Sequence, residues 1–167
     1  MATMFNAGEV LEMAEQIERN GRRFYQTAAQ QARDDRTRAV LQRLAEMEAD
    51  HELLFTEMQA QAVEEGLPDV EYDPDQQVPL YLQAAADTHV FNVHKDLPSS
   101  VSARQSPAEV LKLAIQFEKD SVVFFLGVKE LVPENLGKEK LDALIREEMS
   151  HVVTLTSELR ALESESL

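Results

Sequence analysis

The chain contains no cysteine and no tryptophan, and only five of its 167 residues are glycine. Without cysteine this stretch of sequence can form no disulfide, no thiol nucleophile, no thiolate zinc site and no iron–sulfur centre. The scarcity of glycine, set against an abundance of Ala, Leu, Glu and Gln, argues for an all-α fold. Basic residues are also few, 16 Lys and Arg against 31 Asp and Glu, for a formal charge of −15. Such a surface repels phosphates, which argues against nucleic acid as a partner. No apolar run approaches the roughly 20 residues needed to span a bilayer. The opening MATMFNAGEV lacks the basic-then-apolar layout of a signal peptide. We therefore expect a cytoplasmic protein with no membrane partner, and at this length a single domain.

What is present is helix punctuation. A first helix is expected from about Ala7 to Gln31, with Asn6 as N-cap and Glu9 three residues on. RDDRT makes a tight connection to a second helix, from about Arg36 to Glu65, which the Gly–Pro signal in GLP terminates. A third opens at SPAE, with Ser106 as N-cap, Pro107 at the first helical position and Glu109 closing a capping box. It ends near LVPENLG, and a fourth helix runs from about Lys138 to Glu163. Between the second and third lie forty residues, 66–105, in which PLYLQAAADTHVF reads as a short extra helix. Two short connections flanking one long crossover define a ferritin-like four-helix bundle rather than a simple up-down-up-down one.

The chain also repeats itself. At an offset of 100, Glu9, Val10, Leu11, Ala14, Gln16, Glu18 and Phe24 match Glu109, Val110, Leu111, Ala114, Gln116, Glu118 and Phe124. Leu41, Leu44, Glu48, His51 and Thr56 match Leu141, Leu144, Glu148, His151 and Thr156 in the same way. Each half is a helical hairpin, about 7–65 and about 106–163, and two hairpins make the bundle.

Read at a spacing of three and four, each helix carries one buried stripe. The stripes are Leu11, Ala14, Glu18, Gly21, Tyr25, Ala28; then Leu41, Leu44, Glu48, His51, Phe55, Met58. The second hairpin supplies Leu111, Ala114, Glu118, Ser121, Phe125, Val128 and Leu141, Leu144, Glu148, His151, Leu155. Four carboxylates and two imidazoles thus fall at one level of the core. Unpaired buried carboxylates each cost several kcal/mol or take up a proton instead, and no Lys or Arg lies on these stripes to balance them. Two divalent cations would balance four negative charges, and Glu oxygen with His nitrogen suits iron, manganese or zinc.

A single Glu-x-x-His would mean little where 21 of 167 residues are Glu. Here both helical histidines have a Glu three residues before them, and each unit has a further Glu thirty residues earlier. Chance or a solvated ion pair does not account for that doubled arrangement. His89 and His94, in the crossover, have no such Glu and read as structural.

These residues resemble those of the rubrerythrin and ferritin-like di-iron family over nearly the whole chain, most closely the small rubrerythrin-related proteins without a rubredoxin domain. The resemblance implies that Glu48 and Glu148 bridge two iron ions, that Glu18 and His51 hold one of them, and that Glu118 and His151 hold the other. It also implies that Tyr25 is a tyrosine standing behind the ligands. Asp50 and Glu147 are candidates to hold the outer nitrogens of the histidines. Two positions depart from the family. Where rubrerythrins place a further carboxylate one turn after the third-helix Glu, this chain has Ser121. Where bacterioferritins place a haem-ligating Met after the second-helix Glu, it has Ala49.

The implied activity is that of a non-haem di-iron oxidoreductase reducing hydrogen peroxide, or dioxygen, with electrons from a separate donor protein. The alternative is a non-catalytic protein that binds and handles iron. Proteins built this way are expected as homodimers or small homo-oligomers, with the crossover available for exchange between subunits.

Overall fold

A computed structural model describes residues 7–65, 80–82, 84, 85 and 106–165. Four long helices account for most of them: α1 (Ala7–Gln31), α2 (Asp35–Glu65), α3 (Pro107–Leu131) and α4 (Lys138–Glu165), with a 3-10 turn at Glu134–Leu136 before α4. No strand occurs among the described residues. The expected N-cap Asn6, His89, His94 and the Gly–Pro signal after α2 lie outside them. Of the expected extra helix, residues 80–82, 84 and 85 are described and are helical.

The caps follow from local chemistry. Ser106 accepts a hydrogen bond from the Glu109 amide while the Glu109 carboxylate accepts one from the Ser106 amide, the reciprocal box read from SPAE. Such a cap contributes about 0.5–2 kcal/mol. At the other hairpin α2 starts at Asp35, one residue before the expected Arg36. Asp34 Oδ1 accepts from the Thr37 amide there, at 2.7 Å. α3 stops before Pro133, which lacks the amide to continue it. Gly137 then turns the chain at φ 98°, a left-handed conformation that glycine adopts without penalty, and its carbonyl receives the Lys140 amide to begin α4.

α1 packs along α2 and α3 along α4, and the two hairpins meet mainly where α1 crosses α3. Every residue of the four predicted stripes is buried. Leu11, Leu41, Leu111 and Leu141 fill one end of the core, and Phe55, Phe125, Val128 and Met58 the other. Phe55 and Phe125 meet with ring centroids 5.2 Å apart. Full burial of side chains of this size contributes about 1.5–3 kcal/mol each, which offsets the cost of the polar layer between the two apolar ends.

The crossover touches the bundle through Leu82, which is fully buried, and through Tyr81, whose hydroxyl donates to the Val123 carbonyl at 3.1 Å. Gly127 admits that contact. A Cβ there would stand 2.8 Å from Leu82 Cδ2 and equally close to the Tyr81 ring.

Candidate metal centre

The polar layer is assembled one helix at a time. α1 contributes Glu18, α2 Glu48 and His51, α3 Glu118, and α4 Glu148 and His151. On each helix these residues sit one turn from apolar neighbours that anchor the same face, so burying the stripe also buries the acids. All four carboxylates have no exposed surface, and His51 and His151 are almost fully buried. Their donor atoms form two groups, Glu18–Glu48–His51–Glu148 and Glu48–Glu118–Glu148–His151, each within 4.8 Å. The groups share Glu48 and Glu148.

Both histidines turn Nδ1 inward. His51 Nδ1 lies 2.7 Å from Glu148 Oε1, 3.8 Å from Glu18 Oε2 and 3.9 Å from Glu48 Oε2. His151 Nδ1 lies 3.3 Å from Glu148 Oε2, 3.5 Å from Glu118 Oε2 and 3.7 Å from Glu48 Oε1. Despite these approaches, among the described residues neither Nδ1, no carboxylate oxygen of Glu18, Glu48 or Glu148, and not Glu118 Oε2 has a well-aligned hydrogen-bond partner. Glu118 Oε1 alone is satisfied, by the Tyr25 hydroxyl. Buried polar atoms are rarely left orphaned in this number, since each costs about 1–3 kcal/mol.

The electrostatics carry the same strain. Burial, and then the Glu148 charge, raises Glu18 well above the usual carboxylate range, and burial with the Glu18 charge does the same to Glu48. Glu118 rises to about 8 through burial and the Glu148 charge. Burial acts to raise Glu148 as well, but the adjoining Glu118 carboxyl and the His151 and His51 imidazoles outweigh it and hold this carboxyl far below its ordinary value. Burial would lower both imidazoles; the surrounding carboxylates, Glu148 above all for His51 and Glu118 with Glu148 for His151, raise each to about 10 instead. With no cation to balance it, the cage therefore retains protons. Divalent cations would displace those protons, and the donor set fits them: oxygen and imidazole nitrogen, four formal negative charges, two overlapping groups.

Around this layer the structure separates the remaining candidates. Tyr25 is fully buried and reaches Glu118 across the hairpin interface, with its ring edge-on to Phe117 at 6.1 Å. Burial and the Glu118 charge push its phenol well above the ordinary value. Glu147 holds an outer nitrogen, with its Oε2 3.0 Å from His51 Nε2. Asp50 is exposed and does not take up that role. Ser121 is buried beside the cage, and Ala49 is half-buried on the outer side of α2.

Two features escaped sequence reasoning. Arg19 and Arg22 bind Glu52, 2.8 Å and 3.0 Å away, with Glu15 also on Arg19, so the cations nearest Glu18 in the sequence are spent on neighbouring acids. Gly21 is the other: a Cβ there would stand 2.7 Å from Phe117 Cε1 and 3.3 Å from Glu48 Oε2. The repeat hinted at it, since a stripe position in one half is glycine and in the other the small residue Ser121.

Fold and site together define a four-helix carboxylate–histidine protein of the ferritin-like di-iron type. The sequence matches the rubrerythrin family over residues 9–151, and the chain belongs to that family. Its fold is similar to that of a Thermotoga maritima protein, known from a crystal structure as a candidate ferritin-like diiron-carboxylate protein. The TM-score is 0.68 at 20% identity, covering 96% of this chain and 98% of that one. No curated protein matches the sequence. No helix among the described residues is long and apolar enough to cross a membrane.

Proposed function

We propose that the chain is a rubrerythrin-like non-haem di-iron oxidoreductase that reduces hydrogen peroxide, with dioxygen as the competing oxidant, using electrons from a separate donor protein. The observation that carries this reading is the set of buried, unpartnered donor atoms at the centre of the bundle. Glu18, Glu48, His51 and Glu148 would hold one iron ion, and Glu48, Glu118, Glu148 and His151 the other, with Glu48 and Glu148 common to both groups. When bound, the iron pair supplies the two electrons that, with two protons, convert hydrogen peroxide to two molecules of water.

The chain's own residues do the rest. The Tyr25 hydroxyl holds a proton at Glu118 Oε1. Phe55, Phe117 and Phe125 are fully buried around the cage and exclude bulk water from it. Glu147 fixes the His51 ring from outside. Without cysteine these 167 residues hold no rubredoxin centre, so the electrons come from outside them.

The test is anaerobic reconstitution with ferrous ion, an iron count, and stopped-flow spectra after one equivalent of peroxide or of dioxygen. About two irons per chain, with ferric absorbance growing faster on peroxide, support the proposal. Slow oxidation by both reagents would instead favour the non-catalytic iron-handling role, and failure to bind iron would remove both.

A further inference from the structure

The two halves of the cage are not equivalent on their outer sides. His51 presents Nδ1 to the cage and directs Nε2 at Glu147 Oε2, 3.0 Å away. A carboxylate can only accept there, so Nε2 keeps its proton, and the proton that a cation displaces is the one on Nδ1. Glu147 lies on α4, four residues before His151, yet it serves the histidine of the opposite hairpin. Its mate in the repeat is Met47, which can supply no such acceptor. Correspondingly, His151 Nε2 is buried and has no hydrogen-bond partner among the described residues. To offer Nδ1 to a cation, His151 must bury an unsatisfied N–H, and its ring is held by packing alone.

A second asymmetry acts in the same direction. Tyr25 donates to Glu118 Oε1, drawing charge away from that carboxylate and occupying one of its oxygens. At the mate of Tyr25 stands Phe125, with no hydroxyl, and both oxygens of Glu18 remain unpartnered.

We infer that Glu147 is a positioning residue that makes the two cation positions unequal: the position of Glu18 and His51 fills first and more tightly, and that of Glu118 and His151 fills second. This rests on the reading of the cage as a two-cation site and not on peroxide chemistry. Removing an outer carboxylate of this kind lowers metal affinity by about 10- to 100-fold, which sets the scale of the difference.

The probe is Co²⁺, titrated into the full chain freed of metal and followed by calorimetry and visible absorbance. The wild-type chain is expected to bind in two steps about 10-fold or more apart, the tighter lost in His51→Ala and the weaker in His151→Ala. Glu147→Ala should weaken the first step toward the second; Glu147 is 54% exposed, so the fold tolerates the change. Met47→Glu, which restores the missing carboxylate to the first hairpin, should tighten the second step and leave the first unchanged, a gain that loss of structure cannot produce. Two equal steps in the wild type, or no effect of Glu147→Ala on the first step, would overturn the inference while leaving the two-cation cage intact. Absence of any Co²⁺ binding would overturn the cage and the inference with it.

Discussion

The imidazoles of His51 and His151 lie nearly parallel across the centre of the bundle, ring centroids 5.7 Å apart and planes inclined by 22°. They come from opposite hairpins, and both direct Nδ1 at the same residue, Glu148, at 2.7 Å and 3.3 Å. The pair is the core of a pseudo-two-fold axis, and Glu48 and Glu148 sit astride it. That placement makes the two shared carboxylates the most sensitive point of the site. We predict that Glu48→Gln combined with Glu148→Gln, which preserves shape and removes the charge, abolishes tight binding of both metal ions while the helical circular dichroism is retained. Two ions still held tightly by the double variant, in a metal count after dialysis, would refute the shared-ligand assignment.

The protons retained by the cage set a pH dependence of definite sign. His51 and His151 rise to about 10 in the folded chain, against about 6.5 when unfolded. Their contribution to stability is complete below the unfolded value and is lost as pH climbs to 10. Glu118 behaves likewise, its folded value near 8 lying above the unfolded carboxyl value. The metal-free chain should therefore show a urea midpoint that falls between about pH 5 and about pH 10. Metal affinity should move the opposite way over the same interval, since cations and protons compete for the same atoms. A midpoint that rises with pH would contradict the assignment of protons to the cage.

Tyr25→Phe tests the contact between the hairpins. Phe125 already occupies the equivalent position in the second hairpin, so a phenyl ring suits the stripe. The substitution removes one buried hydrogen bond to Glu118, a loss of about 1–3 kcal/mol, read from chemical denaturation. Two metal ions should still bind, while oxidation by peroxide slows, as stopped-flow absorbance would record. An unchanged rate would confine Tyr25 to a packing role.

Gly21→Ala probes the tightest approach to the cage. The added methyl would run into the Phe117 ring, with Cε1 2.7 Å away and Cζ nearer still, and would meet the Glu48 carboxylate at 3.3 Å. Overpacking of this sort costs about 1–3 kcal/mol, and displacement of Glu48 should weaken both metal steps together. Ser121→Ala, at the mate position, is the comparison: it adds no volume and should leave metal binding near the wild-type level. Equal behaviour of the two variants would show that Phe117 relaxes freely.

Much of this was legible in the residues themselves. A helix has a fixed period, so the positions that bury together can be counted along the chain, and all four stripes are buried as the count requires. Caps are local too, which is why SPAE could be read outright, whereas only the structure shows Asp34 accepting from the Thr37 amide at the start of the second helix. The repeat then places Glu18, Glu48, His51, Glu118, Glu148 and His151 at one level, because both hairpins share one geometry.

What one helix does to another is a different matter. Periodicity gives the face of a side chain but not the rotation and offset of the helix opposite, and partners across the bundle depend on both. Nothing in the spacing tells that Glu147 serves His51 rather than His151 on its own helix, or that Tyr25 reaches Glu118 instead of Glu18. Nor does it tell that Arg19 and Arg22 turn to Glu52. The amino-acid sequence by itself determined the bundle, its repeat and the six residues at its centre, since those follow from helix period and burial. Only the tertiary structure decided which atoms face inward, which are held from behind and which are left unpaired, because those depend on how the two hairpins dock.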